Sequence, residues 1–149
     1  MLKVAVVVLI VMLAYGGIYS LINVIAPKVI TGSSFKAITG QALDSVTDAG
    51  YLRALSGSHR YMGVYSLATV ISGFFILFVG FQKAQKWAWW AFLVVGGIMW
   101  LWGLINTIVI VDAVNLTGHI IGMVLFLVGI LIPIKVFFVK AAEQAPQEA

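Results

Sequence analysis

Residues 61–111 read YMGVYSLATVISGFFILFVGFQKAQKWAWWAFLVVGGIMWLWGLINTIVIV, and the fold turns on them. Two long apolar runs flank a short polar link, Gln82 to Lys86. At about 1.5 Å per residue, a helix of either run reaches across a hydrocarbon core roughly 30 Å thick. A link that short makes the two helices antiparallel neighbours.

The same pattern extends in both directions. Upstream, Val4 to Ala26 is apolar, preceded by Lys3 and stopped by Pro27-Lys28. It starts like a signal peptide, but no small-x-small cleavage site follows the apolar stretch, so it reads as a retained span. Downstream, a turn over Asp112 to Asn115 leads into a fourth apolar run, residues 116–139. The reading is an all-α integral membrane protein, a single antiparallel four-helix bundle with spans at 4–26, 61–81, 87–111 and 116–139. Pro133 is expected to kink or end the regular part of the last helix. Residues 141–149 read as a frayed polar tail.

Composition agrees. Of 149 residues, 62% are hydrophobic and 9% charged, with a mean hydropathy of +1.10; a soluble domain carries about a quarter charged residues. Lipid is the partner this surface asks for. The net charge of +4 is spread along the chain without a Lys/Arg run, which argues against nucleic acid. With no Cys, disulfides, iron–sulfur clusters and thiolate chemistry are excluded.

The segment 28–60 is the one sizeable polar stretch. Phe35, Ile38, Ala42 and Val46 recur at helical spacing and predict a short interfacial amphipathic helix. Asp48 is placed to cap a second short helix over 49–55, ending at Gly57. With four spans, Lys3, Lys83, Lys86, Lys135 and Lys140 fall on one side, and Lys28, Lys36, Arg53 and Arg60 on the other. Cations in short links weigh most, which puts both termini in the cytoplasm.

Lys83, Lys86, Trp87, Trp89 and Trp90 have the composition of an interface belt. Trp100 and Trp102 fall mid-span, to pack between helices or to line a ligand site. Gly16 with Ser20, Gly103 with Thr107, and Gly118 with Gly122 and Gly129 mark faces where helix backbones approach closely.

Intramembrane polar groups should face one another, because each one left unpaired in hydrocarbon costs several kcal/mol. Tyr15, Tyr19 and Asn23 share one helix face; Tyr65, Thr69 and Ser72 share another. Asn106, Thr107, Asn115 and Thr117 add to them, in the half nearest the long loop. The other half is nearly unbroken Val, Leu, Ile and Phe, as in 6–11, 74–81 and 125–131. The expectation is a polar crevice opening away from the cytoplasm, with His59, Arg60, Asp112 and His119 at its mouth. In the plainer reading Arg60 anchors a span, and Asp112 and Asn115 form a turn and a cap. Two His and a loop Asp without i, i+4 spacing are not a metal-ligand pattern. No motif calls for a cofactor, a nucleophile–base pair or a phosphate loop.

The stretch Phe81-Gln82-Lys83-Ala84-Gln85-Lys86-Trp87-Ala88-Trp89-Trp90, with Arg60 and Gly63 upstream, resembles a pattern of small four-helix prokaryotic membrane proteins. The architecture is similar to DoxX-like proteins, although the first-helix pattern of that family is not matched here. The resemblance implies a prokaryotic cytoplasmic membrane and carries no functional residues across. Two functions are then open. The first is a non-catalytic accessory or scaffolding subunit, partnered by other membrane subunits or by itself; the second is an enzyme or carrier that takes a lipid, quinone or small ligand into the crevice.

Overall fold

A computed structural model describes residues 1–139; the tail at 141–149 lies outside the described residues. Among these the chain is all helical, in the order α1 (Leu2–Ile25), α2 (Pro27–Thr39), α3 (Ala49–Val79), α4 (Lys86–Val109), α5 (Ala113–Leu131) and α6 (Ile134–Phe138). Four of them, α1, α3, α4 and α5, are long and apolar enough to cross a membrane.

The breaks follow from local chemistry. Pro27 forces the preceding residue out of the helical region, and Ala26 sits at φ −128°. The same proline, with its fixed φ and missing N–H, then opens α2 at its first position. Gly40 ends α2 in the left-handed region, at φ 74°. Asp48 caps α3 as its position foretells, accepting from the Gly50 and Tyr51 amides at 2.7 and 3.0 Å.

Two expectations are corrected here. No short helix ends at Gly57: α3 runs unbroken for 31 residues, about 46 Å. A lone glycine inside a helix costs only about 1 kcal/mol, and no proline follows to make it a stop. Helix α2 begins at Pro27 and leaves Ala42 and Val46 outside it. It buries Pro27, Thr31 and Ser34, while Val29 and Ile38 are exposed. Its polar stripe faces inward, the reverse of a helix lying on a water-soluble core. The fourth run breaks at Pro133 as expected: α5 stops at Leu131, and α6 restarts after the proline.

α1 is the central element, packed along α3 and α5, with α4 on the far side of α5. Leu13 lies against Gly73, and Asn23 against Gly63, so α1 and α3 run in opposite directions. Leu9 against Gly129 and Tyr15 against Gly118 give α1 and α5 the same relation. Phe126 fills the space at Gly96, and the Trp100 ring the space at Gly122. The glycines thus act as holes for large side chains of the facing helix. At the α3–α4 hairpin Gly80 admits Trp87 and Ala88. Beyond it the two helices diverge, and Met12, Leu13 and Gly16 of α1 line the space between them.

Phe81 anchors the hairpin end, with its ring 5.3 Å from Phe92 and 4.8 Å from Phe137. Trp87 and Trp90 are exposed as an interface belt requires, but Trp89 is buried. Its indole N–H donates to the Ile130 carbonyl at 3.1 Å, in the last turn of α5, where helix carbonyls lack helical partners. Trp89 is therefore a core residue and not an interface anchor.

Candidate functional site

α1 presents Tyr15, Tyr19 and Asn23 one turn apart on the face turned toward α5 and the start of α3. The Tyr19 hydroxyl donates to Asn115 Oδ1 at 2.6 Å. Asn115 Nδ2 donates to Asp112 Oδ2 at 2.6 Å and to Ser34 Oγ at 2.7 Å. The Asn115 backbone amide donates to Asp112 Oδ1 at 3.1 Å, which makes Asp112 the N-cap of α5. One amide side chain thereby ties α1, α2 and the α4–α5 turn together. Asn23 is buried, donates to the Tyr19 carbonyl at 2.9 Å, and lies 3.3 Å from His59 Nδ1 through its Oδ1.

Asp112 is only 2% exposed. Burial by itself would raise its pKa, but the Asn115 side chain and amide, Ser34 and the Val114 amide outweigh that and hold the carboxyl below its ordinary value. The turn that delivers it is strained. Val111 has φ 59°, a conformation rarely adopted by a β-branched residue.

Next to this network is a pocket lined by Tyr15, Tyr19, Ser66, Trp100, Asn115 and His119. His119 Nδ1 lies 2.8 Å from the Asn115 carbonyl. A carbonyl only accepts, so Nδ1 carries the proton and Nε2 is left as an acceptor. Among the described residues, Nε2, the Tyr15 hydroxyl, the Ser66 hydroxyl and the Trp100 indole N–H have no hydrogen-bond partner, yet none is fully enclosed. The Trp100 and His119 rings meet edge to face at 6.1 Å.

Gly16, Met99 and Trp100 are shared with a second, apolar compartment between α3 and α4, lined also by Leu13, Val70, Gly73 and Phe92. The apolar compartment has a cavity volume of about 20 Å³ and the polar pocket about 70 Å³. Both are well below the roughly 300–1,000 Å³ of small-molecule sites, so an occupant has to press α3 and α4 apart.

Tyr15, Tyr19 and His119 come together here, with Asp112 behind them. Other expected members do not. Tyr65 is 72% exposed, and Asn106 is exposed on the outer face of α4. Thr107 is buried but spends its hydroxyl on the Gly103 and Leu104 carbonyls at 3.0 Å. Thr69 bonds back to the Tyr65 carbonyl and borders only the apolar compartment. Arg60 points into a different cleft with Lys28 and Arg53. Ser34 and Ser66 are additions that no spacing rule marks, since isolated serines carry no periodic signal.

Set against known protein families, curated proteins and solved structures, the chain matches none of them.

Proposed function

We propose that this chain is an integral membrane protein, an antiparallel four-helix bundle that binds an amphiphilic small molecule in the groove between α3 and α4. One observation carries the reading: four unpartnered polar atoms, on Tyr15, Ser66, Trp100 and His119, line the end of an apolar slot. The donors Tyr15, Ser66 and Trp100 suit acceptor oxygens, and His119 Nε2 suits a hydroxyl. The neighbouring carboxylate is already fully engaged, so the head group is neutral. A quinol with an apolar tail has that chemistry: its hydroxyl oxygens accept from the three donors, and its O–H donates to Nε2. Insertion in lipid is supported by the apolar exterior: no more than 33% of the most apolar window of any of the four long helices is buried.

Titrating the purified protein with a decyl-substituted benzoquinol, kept reduced, should give saturable quenching of tryptophan fluorescence. His119→Leu removes one hydrogen bond and should weaken binding by about tenfold. Quenching that rises linearly and is unchanged in His119→Leu would sink the groove.

The accessory-subunit reading has its own observation. Asn106 and the Tyr65 ring are exposed at positions where a partner helix would cover them. Co-purifying subunits after mild detergent extraction would favour it over the groove. For orientation, we place both termini in the cytoplasm of a prokaryotic cell. A Cys at Gln85 should then be protected from impermeant thiol reagents in intact cells, while one at Ser45 reacts. The opposite labelling would invert the topology.

A further inference from the structure

The remaining cations are not scattered. Lys28, Arg53 and Arg60 line one cleft at the corner where α1 gives way to α2, facing the outer end of α3. Arg53 and Arg60 are seven residues apart, about 10 Å along the helix, so they project from one side of it. Ser56 and Gly57 lie between them on the same wall. Arg53 Nε donates to the Ala49 carbonyl at 3.3 Å, which steadies the guanidinium and leaves both terminal nitrogens free. Lys28 and Arg60 have no side-chain hydrogen bond among the described residues.

No carboxylate lines the cleft. Asp48 is nearest in sequence, but it accepts from the Gly50 and Tyr51 amides as the cap of α3. Two further features favour an anion. Residues 26–29, the N-terminus of a 13-residue helix, form one wall. Pro27 has no N–H, and the Ala26 and Val29 amides are bonded to the Ile22 and Ala26 carbonyls, which leaves the Lys28 amide at the positive end of the helix dipole. Ser56 Oγ is the one enclosed side-chain polar atom without a partner among the described residues.

We infer that this cleft holds a phosphate-bearing anion, the headgroup of an acidic phospholipid, through Lys28, Arg53, Arg60 and the first turn of α2. Its height fits: α1 ends here, so in the membrane arrangement proposed above the cleft lies at headgroup level. The inference rests on that arrangement and is independent of the α3–α4 groove. Arginine forks suit the two free oxygens of a phosphodiester.

The test is native mass spectrometry of the delipidated full chain in mild non-ionic detergent. Phosphatidylglycerol, phosphatidylcholine and inorganic phosphate are added separately, then phosphate is added against bound phosphatidylglycerol. Wild type should retain phosphatidylglycerol in preference to phosphatidylcholine, and Arg53→Gln/Arg60→Gln should lower that retention by about thirtyfold. Lys28→Gln should give a smaller loss in the same direction, and Lys36→Gln none. All four side chains are exposed, and unchanged helical circular dichroism would verify the fold. Equal retention of both lipids, an unaffected double variant, or an equal loss in Lys36→Gln would each overturn the site. Displacement of the lipid by millimolar inorganic phosphate would overturn the lipid assignment in favour of a free phosphate.

Discussion

Gly122→Ala should destabilise the protein by about 3 kcal/mol, at the upper end of overpacking costs in a filled core. A Cβ at position 122 would fall within the Trp100 indole, which fills the hollow left by the glycine. Trp100 is itself buried between α4 and α5, so the ring cannot swing away without opening the groove it borders. Thermal unfolding in detergent should show the loss, and Trp100→Leu in the Gly122→Ala background should recover part of it. A double variant no more stable than Gly122→Ala alone would mean that the packing of these two residues is not what limits stability.

Asn115→Leu should be as damaging for a different reason. The side-chain amide of Asn115 serves the Tyr19 hydroxyl, Ser34 Oγ and Asp112 Oδ2, while its backbone amide serves Asp112 Oδ1. Replacing the side chain removes its bonds to Asp112 Oδ2 and the Tyr19 hydroxyl, while the backbone amide still holds Oδ1. A buried polar group left unpaired costs about 1–3 kcal/mol, more where it is charged. Asp112→Asn in the same protein removes the charge and keeps an acceptor, so it should cost less than Asn115→Leu. The pH dependence has a definite sign. The carboxyl of the folded state lies below its ordinary value, so the folded protein binds this proton less readily than the unfolded chain. That contribution is complete above the unfolded pKa of about 3.9 and is lost as pH falls through the lower folded value. A melting profile measured from pH 7 down to pH 3 should fall at its acid end in wild type and be flatter there in Asp112→Asn. A profile that rises as pH drops below 4 would contradict the network.

The helix inventory was readable because apolar length and polar links report directly on spans. Asp48 as a cap and Pro133 as a break were equally legible, since each acts through its own side chain. What could not be read was which face of each helix turns inward. Polar spacing on α3 pointed to Tyr65, Thr69 and Ser72, yet the packed stripe is Gly63, Val70, Gly73 and Leu77. On α4 it is Ala88, Phe92, Gly96, Trp100 and Thr107, and Asn106 falls one residue, or 100°, off that line. In both helices the glycines marked the inner face better than the hydroxyls and amides did. Close approach needs small residues, whereas a Ser or Thr can satisfy itself on its own helix, as Thr69, Ser72 and Thr107 do. The continuity of α3 through Gly57 was hidden for a related reason: a polar, glycine-bearing stretch looks like a loop until its neighbours are known.

The turn between α4 and α5 carries one more implication. Val111 is 73% exposed and held at φ 59°, so no buried contact of its side chain offsets a left-handed backbone that costs a branched residue about 1–2 kcal/mol. The Asp112 amide just after it donates to the Thr107 carbonyl at 2.9 Å, and its carboxylate is the hub of the Asn115 network. The turn is thus wound against its own preference and kept shut by what lies on either side. It resembles a sprung catch: loosen the Asn115 network, and the first segment to move should be this corner, carrying the start of α5 and His119 away from Trp100.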